Sequence, residues 1–407
     1  MILRDYQIDI AFKSFNILKD KGIVYLAIET RCGKTIIAME TCKLYGAKKV
    51  LFVTKKKAIG SIESDYSHYK NDFACVIVNY ESVLKVKDKY DIVICDESHA
   101  ISAIPKPPKR WKDLRQITYD TPVILMSATP SPESYSQLFH QFTINKFHSW
   151  NKARNFYEWA RYYVNKKVKY LYGREINDYS DAKIELIEPK IKDYMITFTQ
   201  VEAGFSQFID EKIITCKMKS VTYEIIETLN RDKVVWHKEA AILGDTAVKL
   251  MSKVHQLCSG TFIDEGGEGF IVDNSKAEYL RQYFVGMKIA IFYKFKQEFE
   301  MLKQSFPNYT ESPEDFQTGN YTFLGQFQSA REGIRLDKAE ALVFFNIDFS
   351  FLSYEQSKNR ILSKERTEHA PLFWIFSEGG IEEKIYRVVC LKKNYTVNYY
   401  KKDFVIK

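Results

Sequence analysis

The 407-residue sequence holds no apolar run of membrane-spanning length, which excludes a transmembrane helix. Its seven cysteines, Cys32, Cys42, Cys75, Cys95, Cys216, Cys258 and Cys390, contain no CxxC pair. That scatter leaves no zinc framework and reads as reduced, mostly buried thiols. The opening "MILRDYQIDIAFKSF" lacks the uninterrupted apolar stretch and small-residue cleavage site of a secretory leader; the expected location is the cytoplasm, or the host cytoplasm if the chain is viral. No internal repeat and no low-complexity tract is present. One further lack is local: "AIETRCGKTI", residues 27–36, resembles a phosphate-binding loop in which Ile28 and Arg31 stand where glycines are expected.

Apolar residues make up 45% of the chain and charged residues 28%, the profile of a globular protein. The length exceeds one comfortable core and fits two domains with an insertion. Sixty basic residues against 52 acidic give a net charge of +8, which permits a nucleic-acid partner without establishing one. Basic clusters occur at Lys55–Lys57, at Lys106, Lys109, Arg110 and Lys112, and at Lys166, Lys167 and Lys169. A solvated surface accounts for each of them equally well.

Apolar periodicity predicts a helix from Asp5 to about Lys21, a buried strand at "GIVYLAI" and a helix at "GKTIIAMETCKLY". The alternation continues through "KVLFVT", a helix near Ile59–Tyr69, "ACVIVN", a helix from Tyr80, "YDIVICD" and "PVILMSA". Apolar strands separated by helices indicate a parallel sheet covered on both faces. Residues 149–270 shift to long aromatic and charged stretches, and alternation returns with "KIAIFYKF", "YTFLGQF", "EALVFFNI" and "PLFWIFSE". The expected fold is α/β: two RecA-like parallel-sheet lobes, at 1–148 and 271–407, with a mainly helical insertion at 149–270.

Gly33, Lys34 and Thr35 retain the most demanding part of a phosphate loop: a tight turn, a lysine for the outer phosphates and a hydroxyl for Mg²⁺. The helix that begins there aims backbone N–H groups at an anion. Thr30 and Cys32 are small enough for the turn, and Arg31 is expected to point outward. In "YDIVICDESHA" a strand delivers Asp96 and Glu97 to its C-terminal end, the edge where ligands bind in open parallel sheets. Asp96 suits the Mg²⁺ shell, and Glu97 suits orientation or deprotonation of an attacking water. The plainer reading makes both acids caps of the following helix at Ser98, and His99 a local hydrogen-bond partner.

Taken in order, these segments resemble superfamily 2 helicases and translocases, in the branch of Swi/Snf-type remodelling ATPases and their DEAD/DEAH-box-like relatives encoded by bacteriophages. "LRDYQ" is similar to the adenine-recognition segment, with Gln7 reading the base edge, and "ETRCGKT" to motif I. "LFVTKK" resembles motif Ia, "DESH" motif II and "MSATPSP" motif III; "VNYESV" resembles the tyrosine-containing motif between Ia and II. In the second lobe "KIAIFYKFKQE", "QSAREGIRL" and "YEQSKNRILSKER" resemble motifs IV, V and VI. The insertion carries no such likeness.

The resemblance implies ATP and Mg²⁺ as cofactors, Glu332 and Gly333 beside the nucleotide, and an arginine finger in motif VI. That motif places arginines four and seven residues after its glutamine. From Gln356, Arg360 fits the first position, whereas Ser363 fills the second, with Arg366 nearby as a replacement. It also implies a nucleic-acid track, DNA in preference to RNA, gripped by Lys55 and Lys56 and by the hydroxyls of Thr129 and Ser329. A monomer without membrane contact, working with replication or recombination proteins, completes the expectation. A nucleotide-binding scaffold without turnover and an RNA helicase stay open as alternatives. A single-lobe phosphate-loop kinase fits less well, because a second strand-helix lobe follows.

Overall fold

A computed structural model describes residues 3–70, 72–171, 174–204, 209–237, 240–327, 334, 336–350, 354, 357–361 and 370–390. The chain divides into two units, Met1–Phe205 and Ser206–Lys407. The first opens with helix α1 (Asp5–Lys21), ended by Gly22 at φ 65°, whose N–H donates to the Leu18 carbonyl at 2.8 Å. A side chain at Gly22 would collide with the Phe147 ring, which lies 2.6 Å from the position of a Cβ. The left-handed turn and the lack of room both require glycine.

Strand β1 (Ile23–Ile28) and helix α2 (Lys34–Tyr45) follow. Next come β2 (Lys49–Thr54), helix α3 (Ile59–His68), β3 (Ala74–Asn79), β4 (Ile92–Cys95), helix α4 (Lys109–Thr118) and β5 (Val123–Met126). The helix expected from Tyr80 is a short 3-10 segment, Tyr80–Lys85. A hairpin of β6 (Lys167–Leu171) and β7 (Arg174–Asp178) stands apart, and β8 (Met195–Phe198) returns to the main sheet. The six-stranded sheet has the order β3-β2-β4-β5-β1-β8 with every pairing parallel.

Alternation along the strands fills a layer on each face, as expected for a parallel sheet covered by helices. Val24, Leu26, Phe52, Ile94 and Ile124 pack with Ile10 and Leu18 of α1 and Ile37 and Met39 of α2. Tyr25, Leu51, Val93 and Leu125 pack with Leu114, Phe139, Phe142, Trp150 and Trp159. Burying such apolar side chains is worth about 1.5–3 kcal/mol each.

The second unit runs from β9 (Ile209–Cys216) through β10 (Val234–His237), β11 (Ala240–Leu243), β12 (Thr261–Ile263), β13 (Gly269–Ile271), β14 (Ile289–Tyr293), β15 (Tyr309–Thr310), β16 (Thr322–Gln326) and β17 (Ala341–Phe344) to β18 (Ala370–Ser377). Its six-stranded sheet, in the order β15-β16-β14-β17-β18-β9, is likewise parallel throughout. Two α/β lobes built on parallel sheets is therefore the observed architecture. The 149–270 stretch holds the helices Phe156–Tyr163, Ile184–Ile191, Ser220–Asp232 and Ala247–Cys258. It also supplies one edge strand of each sheet, β8 to the first and β9 to the second. Among the described residues no helix is long and apolar enough to cross a membrane.

Candidate nucleotide site

Because the first sheet is parallel, the loops leaving β1, β2, β4 and β5 emerge at one edge. The register pairs Leu26 with Met126, Leu125 with Cys95 and Cys95 with Val53. This alignment sets Thr54, Asp96 and Ser127 at one level, next to the loop that follows Ile28. Glycine at position 33 has φ 79° and caps the start of α2, whose first N–H groups lack intrahelical acceptors. Lys34 folds its ammonium back over the loop, donating to the Ile28 carbonyl at 2.8 Å and the Glu29 carbonyl at 3.2 Å. Cys32 is fully buried, and its carbonyl accepts from the Tyr6 hydroxyl at 3.3 Å.

Gln7 meets this loop from α1. Its Oε1 accepts from the Arg4 N–H at 3.0 Å, and its Nε2 lies 2.2 Å from where a Cβ on Gly33 would stand. The Gln7 amide can lie against the phosphate-type loop because residue 33 has no side chain. Arg31, expected to point outward, is half-buried and has φ 64°. The loop adopts the left-handed turn that a glycine would make without strain, at a cost of about 1–2 kcal/mol for an L-residue.

At the end of β4, Thr54 donates to Asp96 Oδ2 at 2.8 Å and the Tyr80 hydroxyl donates to the Asp96 carbonyl at 2.6 Å. Burial first, and then the neighbouring Glu97 charge, push the Asp96 carboxyl up to about 6, against the opposing pull of Thr54 and Lys34. Glu97 has φ 49° and ψ 47°. The non-glycine residues with positive φ among those described are Arg31, Glu97 and Lys233. Two of these three lie in this one site, where stored backbone strain is a mark of function.

The loops are tied together by side chains. Glu97 Oε2 lies 3.2 Å from His99 Nδ1, which in turn lies 3.0 Å from Ser127 Oγ. Ser127 Oγ accepts from the Thr129 N–H at 3.1 Å. Beneath them the buried Tyr25 hydroxyl lies 2.7 Å from Ser98 Oγ and donates to Gln141 Oε1 at 2.7 Å, and the Gln141 amide donates to the Pro130 carbonyl at 2.7 Å. A change at the Asp96–Glu97 corner is thereby connected to the 127–130 segment through hydrogen bonds within one unit.

Of the residues singled out from the sequence, Gln7, Thr30, Arg31, Cys32, Gly33, Lys34, Thr35, Asp96 and Glu97 cluster at this edge. Lys55 is half-buried and Lys56 exposed, both directly after β2. The Thr129 hydroxyl is buried and has no hydrogen-bond partner among the described residues. In the second unit Arg360 is half-buried in the 3-10 turn Asn359–Ile361, where its carbonyl accepts from the Leu336 N–H at 3.1 Å. Ser329, Glu332, Gly333, Gln356, Ser363 and Arg366 lie outside the described residues. Among those described, no group of three or more His, Cys, Asp or Glu is arranged to hold a metal.

Residues beyond the motifs complete the loop. Gln200, just past β8, donates from Nε2 to the Thr30 carbonyl at 3.0 Å, and its backbone N–H donates to Glu29 Oε2 at 2.7 Å. The Glu29 N–H donates to the Phe198 carbonyl at 2.9 Å, and the Phe198 ring stacks on Tyr6 at 4.8 Å. No local pattern marks Gln200, which stands 170 residues from Thr30 in the chain.

No protein-family model matches the chain, and no curated protein does. Among solved structures it is similar to the SWI2/SNF2 ATPase core of Sulfolobus solfataricus in complex with double-stranded DNA. The identity is 17%, with 96% of this chain and 91% of that one covered, at a TM-score of 0.41.

Proposed function

We propose that the chain is an ATP-driven nucleic-acid motor, a DNA translocase or helicase acting in replication or recombination. The observation that supports this most is the meeting of Gln7, Gly33–Thr35 and Asp96–Glu97 at one edge of one parallel sheet. The Gln7 amide beside Gly33 suits the edge of an adenine, and the open N–H groups of α2 suit phosphate oxygens. As phosphates enter, the Lys34 ammonium exchanges the Ile28 and Glu29 carbonyls for phosphate oxygens. Glu97 then orients and deprotonates the attacking water.

Thr35 and Asp96 would hold a magnesium ion. One hydroxyl and one carboxylate fit the sparse protein shell that Mg²⁺ takes alongside phosphates and water. The ion supplies neutralisation of phosphate charge. Arg360 is the proposed finger, with Gln356, Gly333 and Arg366 assisting from their motifs. Lys55, Lys56, Thr129 and Ser329 are proposed to grip the track through its phosphates, which carry affinity and no sequence information.

ATP turnover measured against single-stranded DNA, duplex, forked DNA and RNA tests the reading. Turnover should rise with DNA, vanish in Lys34→Ala, and stop in Glu97→Gln with ATP still bound. Unchanged turnover in Glu97→Gln removes the assigned base. A nucleotide-binding scaffold is the second reading, favoured by Ser363 standing where motif VI carries an arginine. Binding of ATP without turnover on any of the four nucleic acids would select it.

A further inference from the structure

A cavity of about 390 Å³ lies in the first unit between the start of α4 and the aromatic segment 139–157, and shares no lining residue with the nucleotide edge described above. Its volume falls in the range of small-molecule sites, roughly 300–1,000 Å³. The lining includes three cations, Lys106, Arg115 and Arg154, and no acidic residue. Aromatic walls come from Trp111, Phe139 and Phe156, with the exposed Tyr157 also among the lining residues.

Two side chains of this lining are held in place, each with one nitrogen left without a partner among the described residues. The Arg115 guanidinium is flanked by the rings of Trp111 at 5.0 Å and Tyr119 at 4.9 Å, and Nη2 donates to Asn151 Oδ1 at 3.0 Å. Its Nη1 is buried without a hydrogen-bond partner among the described residues. His140 is 2% exposed, its ring stacked on Phe156 at 5.6 Å, and its Nδ1 is also without a partner. Burial pulls His140 down to about 4, so its ring is neutral at pH 7. A buried cationic N–H and a buried ring nitrogen each cost stability unless something pairs with them.

We infer that this cavity binds a nucleotide, with Arg115 on the phosphate, the aromatic walls against the base and His140 Nδ1 paired with the base edge. A fixed guanidinium fork matches phosphate oxygens, and aromatic walls take a nucleobase of any sequence by stacking. The other ring nitrogen of His140 donates to the Ala103 backbone, which leaves Nδ1 of the neutral ring an acceptor for an N–H of the base edge. A simple carboxylate would answer Arg115 and leave His140 and the aromatic walls unused. The nucleotide comes either as a free mononucleotide or as one residue of a single strand. The site is separate from the proposed ATP site and does not depend on it.

The test is calorimetric titration of the full chain, without Mg²⁺, with AMP, with dTMP, with an eight-base oligodeoxynucleotide and with phenyl phosphate. AMP, dTMP or the oligonucleotide should bind more tightly than phenyl phosphate. Tighter binding of the mononucleotides assigns a free ligand, and tighter binding of the oligonucleotide assigns a strand. Arg115→Gln should weaken binding by about tenfold or more, the worth of one charge-assisted hydrogen bond. The paired change Lys106→Ala and Arg154→Ala, at surface positions that do not threaten folding, should weaken it in the same direction. Gln7→Ala and Lys34→Ala should leave it unchanged, which separates this site from the ATP site. No binding by any nucleotide overturns the inference. So does phenyl phosphate binding as tightly as AMP, or loss in Gln7→Ala with retention in both the Arg115 and the Lys106–Arg154 variants.

Discussion

Replacing Gly33 by alanine strikes the loop in two separable ways. The residue sits at φ 79°, where an L-side chain costs about 1–2 kcal/mol. A new Cβ would also stand 2.2 Å from Gln7 Nε2, so the Gln7 side chain must leave its rotamer, at about 0.5–1.5 kcal/mol. The combined expectation is about 1.5–3.5 kcal/mol. If the loop keeps its shape, the loss appears as reduced stability in denaturant. If the loop relaxes, ATP binding must restore the strained shape, and affinity falls by roughly 10- to 300-fold.

Four proteins measure both parts: the original, Gln7→Ala, Gly33→Ala and the double variant, each by ATP titration and denaturant unfolding. In the cycle Gln7→Ala should recover only the overlap share, leaving the backbone share in place. Additive single effects would show that Gln7 does not crowd Gly33. Unchanged stability and affinity in Gly33→Ala would refute the loop geometry itself.

Gln200→Ala should raise the ATP dissociation constant by roughly two- to twelvefold, the worth of one hydrogen bond, with kcat nearly unchanged; a fall in kcat at constant affinity would count against a role in holding the loop. Changing Lys55 and Lys56 to alanine should weaken nucleic-acid binding on all sequences alike and flatten the slope of log affinity against log salt by about 0.7–0.9 per lost contact, whereas an unchanged slope removes both lysines from the track. For Asp96, the carboxyl is raised from its ordinary 3.8 to about 6 in the folded chain. The folded state therefore keeps the proton to higher pH, and stability is lost as pH rises between these values. Asp96→Asn should be more stable than the original chain at pH 7, with the gain vanishing below about pH 4; denaturation midpoints at the two pH values check this, and an equal gain at both would contradict the assigned cause.

The sequence by itself determined the local elements and the chemistry at their ends. Asp5–Lys21 is a helix as its periodicity predicts, because its apolar spacing puts Ile10, Ala11, Ser14 and Leu18 on one buried face. "GIVYLAI", "YDIVICD" and "PVILMSA" are legible as strands because central strands of a parallel sheet are buried on both faces and read as unbroken apolar runs. Asp96–Glu97 is legible because it sits directly after such a strand, and Gly33–Thr35 because it follows one across a short loop and opens a helix.

The tertiary structure decided what those pieces meet. Strands β1 and β4 do not pair; β5 lies between them, and only that order brings Asp96 and the Gly33 loop to one edge. The outer strands β8 and β9 carry mixed burial along their length, so the pattern of an edge strand merges with the charged and aromatic stretch around it. Gln200 reaches Thr30 through a hydrogen bond that no spacing announces. The positive φ of Arg31 is likewise imposed by its surroundings, since an arginine has no local preference for that turn. Periodic burial is a short-range property and is written along the chain, whereas strand order, backbone strain and long-range hydrogen bonds are set when the packed units exclude every other arrangement.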